Sequence, residues 1–174
     1  MTHIIQVYPH NDLLNVAHYH LSIINEKVAH GNNDALSLDC ISCLTSLAFG
    51  VEAFINFVGS KVVPKWKERQ PFIDKLTSVY GQIGGSFDKN SDPYKTIWEL
   101  KELRDDLAHG KPIEKEIDTT SKEDLWSEMK APWDHRLNID YANHSYEQVK
   151  IWQRELLDRS GISIDETITA AHRK

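Results

Sequence analysis

Apolar residues recur along this chain at intervals of three and four, the spacing that lines one face of an α-helix. Across residues 11–29 the stripe is Leu13, Val16, Ala17, Leu21, Ile24 and Val28, with His20 and Lys27 inside it. Gly31-Asn32-Asn33 stops it. Residues 34–61 are apolar on most sides, as a helix at the centre of a bundle must be. Glu52 and Asn56, four apart on one face, are the polar exceptions. A third helix is predicted over 65–83, carried by Trp66, Phe72, Leu76, Val79 and Tyr80 and kinked or restarted at Pro71. After a glycine-rich loop, Asp92 can cap a fourth helix over 93–108, which Gly110 and Pro112 end. Residues 113–143 are polar and irregular, with a short helix over 121–130. Ser145 and Gln148 read as a capping box opening a fifth long helix over 145–159, with a buried stripe of Val149, Trp152 and Leu156. A short helical tail is expected to end the chain. The pattern predicts an all-α bundle of four to five main helices with short extra helices. It forms one domain over 1–174, with its core over about 10–160.

Composition changes this picture little. At 174 residues the chain can bury a core without staples. With 40% hydrophobic and 26% charged residues it resembles an ordinary soluble globular protein. There is no run of eighteen apolar residues, so no membrane span is expected, and the N-terminus lacks the layout of a signal peptide. A cytoplasmic location is the default expectation. The two cysteines, Cys40 and Cys43, lie one helical turn apart with no second pair to complete a zinc site, and read as small buried hydrophobes. No metal or cofactor is indicated. The Gly84-Gly85-Ser86 loop lacks the ending of a P-loop, and His18 and His20 point to different faces of their helix. Trp126, Trp133, His135 and Arg136 either stack on bases or tack a loop to the bundle. A net charge of −6 argues against a non-specific nucleic-acid coat, while leaving room for a local basic site that engages one or two phosphates.

The fourth helix holds the most informative residues. Ile97, Leu100, Leu103 and Leu107 form one apolar arc, and Arg104 falls inside it, about 40° from Leu100. A guanidinium directed at a core needs a carboxylate, a bound anion or a wet interface. Glu52, the one acid between Asp39 and the end of the apolar second helix, is the expected partner. His109 lies about 140° around the same wheel and about 7.5 Å further along the axis. The two side chains therefore converge only if the chain turns after Ala108, or across a two-fold axis between two copies.

The string Leu103-Arg104-Asp105-Asp106-Leu107-Ala108-His109-Gly110 resembles the signature of the HEPN superfamily (higher eukaryotes and prokaryotes nucleotide-binding): Arg, a polar residue, then His at a helix end. The long apolar stretch around Ala48-Phe49-Gly50-Val51-Glu52 resembles that family's central helix. The resemblance implies a homodimer whose Arg/His pairs line one shared cleft. It implies metal-independent endoribonuclease activity on RNA in a toxin or defence setting. A nucleotidyltransferase-type antitoxin would be the partner, and no membrane is involved. Under it, His109 is the general base or acid, Arg104 holds the phosphate with its fork, and Asp105 orients either of them. Lys111 joins Arg104 in binding substrate, while Glu52 and Asn56 support the site. The other reading of the same residues is a non-catalytic helical module that binds a nucleotide or a protein, with His109 a C-terminal cap and Arg104 a structural ion-pair residue.

Overall fold

The computed structural model describes residues 2–118 and 121–173, apart from the side chains of Ser127 and His172. Six helices dominate it: α1 (Pro9–Ala29), α2 (Leu36–Val62), α3 (Phe72–Ile83), α4 (Tyr94–His109), α5 (Lys122–Glu128) and α6 (Ile139–Ser160). They form an all-α bundle. α2 lies at its centre, flanked by α1, α3, α4 and α6. By length and composition α2 is apolar enough to cross a bilayer. Here that apolar surface meets other helices, with Leu44, Leu47, Val51, Ile55 and Val58 all buried. Trp152 of α6 is fully buried and meets Phe54 of α2 edge-on.

Several boundaries differ from the sequence pattern for identifiable reasons. Pro71 ends the turn after α2 and restarts the chain as α3, so residues 65–70 are not helical. Trp66 lies in that turn with its ring on Gly59, where a Cβ would collide with it. Gly59→Ala is therefore expected to destabilise the fold by about 1–3 kcal/mol despite alanine's better helix propensity. A urea melt would read this, and a second change, Trp66→Leu, should return most of the loss. α6 begins six residues before the predicted start. Asn138 caps it, accepting a hydrogen bond from the Tyr141 backbone N–H at 2.9 Å, while Ser145 sits buried in the helix interior.

Of the expected helical tail, one turn of 3-10 helix forms over Ile164–Thr167, capped by Ser163, and the chain then turns extended. β1 (His3–Gln6) and β2 (Ala170–Arg173) pair antiparallel, His3 opposite Arg173 and Gln6 opposite Ala170. The β-branched residues Ile168 and Thr169 disfavour continuation of that turn as a helix just ahead of β2.

Within the stripe of α1, both polar residues meet one acid of α2. Asp39 accepts from Lys27 at 2.6 Å and lies 3.3 Å from His20 Nδ1. The Lys27 hydrogen bond, chiefly, holds the Asp39 carboxyl below its ordinary value of 3.8. The cysteines are buried and unbridged in α2, and burial pushes their thiols up to about 11 and about 12.

Candidate functional site

α4 starts at a firm anchor. Asp92 Oδ1 accepts from the Thr96 hydroxyl at 2.7 Å and from its backbone N–H at 3.3 Å, and Asp92 Oδ2 lies 3.0 Å from His144 of α6. Ile97, Leu100 and Leu103 are buried against the bundle, which fixes the rotation of α4. That rotation carries Arg104 inward, with its side chain 19% exposed.

The guanidinium is held on two sides. Its Nη1 donates to Glu52 Oε2 of α2, while its Nε and Nη2 both donate to Asp105 Oδ1, at 3.0 and 2.6 Å. Three of its five N–H donors are thus engaged, leaving two. The edge best suited to a bidentate anion is already occupied by Asp105. Asp105 also receives Lys101 Nζ at 2.6 Å. Burial pushes its carboxyl up, but hydrogen bonds from Lys101 and Arg104 outweigh that and leave it below the ordinary value. Asp105 therefore orients Arg104; no contact joins it to His109.

Glu52 has a second partner that the sequence reading missed. Lys75 of α3, only 1% exposed, donates to Glu52 Oε1 at 2.7 Å. Burial lowers its pKa, and the charge of Glu68 works against that shift. The signal was present: Lys75 stands three residues after Phe72 and four before Val79, on the apolar face of α3, as Arg104 does on that of α4. Glu52 thus joins α2, α3 and α4 at one carboxylate. Lys75, Lys101 and Arg104 face Glu52 and Asp105 in direct ion pairs, and the nearby Glu68 brings the acids to the same number. Phe49, 44% exposed, lies beside Arg104, whose Cζ is 5.9 Å from the ring centroid.

His109 is the last residue of α4 and is exposed. Among the described residues it makes no hydrogen bond or ion pair. Arg104 turns into the bundle and His109 toward solvent, so a single chain does not bring them together. Gly110 follows in an extended conformation, not the left-handed one usual after a helix. Its lack of a side chain matters because a Cβ there would collide with the Asp106 carbonyl oxygen. Lys111 is exposed on the rim of a groove lined by Ile113, Ile117, Met129 and Trp133. Asn56 does not join the Arg104 cluster. It faces a separate cavity beside His10, and its Oδ1 is buried without a partner. In the 113–143 region Arg136 ties its loop to α4, donating from Nη1 to the Glu99 carbonyl at 3.1 Å, while Trp126 is 69% exposed.

No family model, curated protein or solved structure matches this chain.

Asp39 and Asp105 make the fold sensitive to acid. Both carboxyls sit below 3.8 in the folded chain. The unfolded state therefore binds more protons near and below that value. Their stabilisation is complete above about pH 5 and is lost as pH falls through 3.8 and then through the lowered folded values. Chemical melts between pH 7 and pH 3 should show this acid limb, shallower in Asp39→Asn.

Proposed function

We propose that this chain is a metal-independent endoribonuclease of the HEPN type, acting as a homodimer whose cleft takes Arg104 and His109 from both copies. The observation that carries the reading is the contrast along one helix. Arg104 is clamped by Glu52 and Asp105 with two N–H donors to spare, and His109, five residues on, is exposed and, among the described residues, without a partner. A fixed cation and an accessible imidazole are what cleavage by the ribose 2′-hydroxyl requires. His109 takes the 2′-OH proton as that oxygen attacks phosphorus. The phosphorus–5′-oxygen bond breaks, and the leaving oxygen is protonated by the imidazole of either copy. The products are a 2′,3′-cyclic phosphate and a 5′-hydroxyl. Arg104 offers its remaining donors to the non-bridging oxygens. The toxin or defence setting and the nucleotidyltransferase-type antitoxin belong to the same proposal and rest on the motif.

A second reading has its own observation. Glu52 already satisfies Arg104 inside one chain, as a structural pair would, and His109 stands in the last turn of α4, at the negative end of the helix dipole. This is the non-catalytic module that binds a nucleotide or a protein. The deciding experiment incubates end-labelled RNA with the purified protein in excess EDTA, with an identical DNA as control. RNA fragments with cyclic-phosphate ends and intact DNA are expected. Intact RNA at micromolar dimer would favour the module.

A further inference from the structure

A second site lies away from Arg104, where the start of α1 meets the second half of α6. His10, only 2% exposed, is enclosed by Tyr8, Phe54 and Phe57, with ring centroids 5.1–5.7 Å apart across its own contacts and the Tyr8–Phe57 contact. Neither of its ring nitrogens has a hydrogen-bond partner. Buried polar groups are almost always paired, so an orphaned imidazole points to a missing partner. The Thr167 carbonyl, which accepts from Asn11 Nδ2 at 2.8 Å, is near enough to favour the protonated ring but does not reach hydrogen-bond geometry with it. Burial outweighs it and lowers the His10 pKa, keeping the ring neutral, with one donor and one acceptor nitrogen.

His10 lines a cavity of about 280 Å³. Leu14, Phe54, Leu157 and Ile164 give it an apolar body, and Lys150 and Arg154 supply two positive charges. No acid lines it. Arg154 is exposed and, among the described residues, makes no ion pair or hydrogen bond; Lys150 makes a 3.4 Å contact with Glu147. Apolar walls with a few convergent polar groups are the usual build of a small-molecule pocket. The neighbouring cavity on the other side of His10 contains Glu68 and lacks this charge bias.

We propose that this cavity binds a small organic carboxylate with a hydroxyl or carbonyl at its far end. The carboxylate meets Arg154 and Lys150, the apolar body lies against Leu14, Phe54 and Leu157, and the distal polar group pairs with His10. This site is independent of any reaction at Arg104 and His109.

Calorimetric titration of the full chain with three matched probes tests it: 4-hydroxyphenylacetate, phenylacetate and tyramine. Hexanoate and 6-hydroxyhexanoate repeat the comparison on an aliphatic body. Saturable one-to-one binding of the hydroxy acids is expected, at least tenfold weaker for the acids lacking the hydroxyl and weaker again for tyramine, whose cation replaces the carboxylate. Arg154→Glu, at an exposed position, should weaken the hydroxy acids tenfold or more while the protein remains folded. His10→Phe should abolish the preference for the hydroxyl. The proposal is overturned if no hydroxy acid saturates the protein below about 10 mM. It is also overturned if tyramine binds as well as the acid, if the hydroxyl makes no difference to the wild type, or if Arg154→Glu leaves affinity unchanged.

Discussion

Glu52→Ala is expected to lower the unfolding free energy by about 3 kcal/mol, the low end for breaking a buried ion pair. Glu52 itself is 29% exposed, but its partner Lys75 is 1% exposed and, among the described residues, forms an ion pair with Glu52 alone, Glu68 acting on it only through its charge. Arg104 keeps Asp105, so most of the cost falls on the ammonium stranded against the core of α3. The pH dependence identifies this cause. An unpaired, buried Lys75 has a folded pKa well below its unfolded value, and between the two values the unfolded state binds the extra proton. The deficit of Glu52→Ala should therefore shrink as pH rises from 7 toward 10. Lys75→Met placed in the same background should recover a substantial part of it, since that change removes the stranded charge and keeps the side chain's volume. Denaturant melts of the two single variants and the double variant at pH 7 and pH 9 read both effects. A deficit that neither pH nor Lys75→Met relieves would show that Glu52 stabilises the bundle in some other way.

Under the proposed function, His109→Ala is expected to slow RNA cleavage about 10²–10⁴-fold, the usual worth of a general acid or base, without moving the thermal midpoint. The second half of this expectation comes from its position. His109 is exposed at the end of α4 and has no partner among the described residues, and substitutions at such sites are usually neutral within about 0.5 kcal/mol. The measurement is the single-turnover rate in EDTA beside a melting curve for each protein. Arg104 does not offer so clean a test, because removing it also releases Glu52 and Asp105. Arg104→Lys keeps the charge and loses the fork, so it should retain the fold better than Arg104→Ala while still losing activity. Unchanged cleavage in His109→Ala would remove that residue from the chemistry and turn attention to other groups.

The helices were legible because their buried faces repeat at helical spacing. α2 could be read as central since few of its positions are polar, and Arg104 stood out as a charge on an apolar arc, with Glu52 as the one acid of the most apolar stretch of the neighbouring helix. The same logic applied to α3 would have found Lys75, but a lysine's long stem can reach water from many positions, so its place on the wheel alone does not mark it as buried. The start of α6 was hidden by competing signals. Asn138 and Ser145 both have capping chemistry, and the choice between them depends on what the intervening residues pack against, which local spacing does not encode. The pairing of β1 with β2 was invisible for a related reason, as each strand is only four residues long and its partner lies at the other end of the chain. His10 was passed over because a histidine beside a helix start looks solvent-exposed until Tyr8, Phe54 and Phe57 close around it.

The ribbon of β1 and β2 also bears on how the molecule is made. Its paired residues are separated by almost the whole chain, so closing it carries the largest loop entropy of any contact in the fold. The packing of α1 against α2 joins segments adjacent in sequence and needs no such closure. Folding should therefore assemble the helices first and zip the ribbon afterwards. In the finished protein the order reverses: all four residues of β1 are exposed, and the ribbon is the element that can open while the helices stay packed. Its amides should be the first ordered backbone groups to trade their protons with solvent.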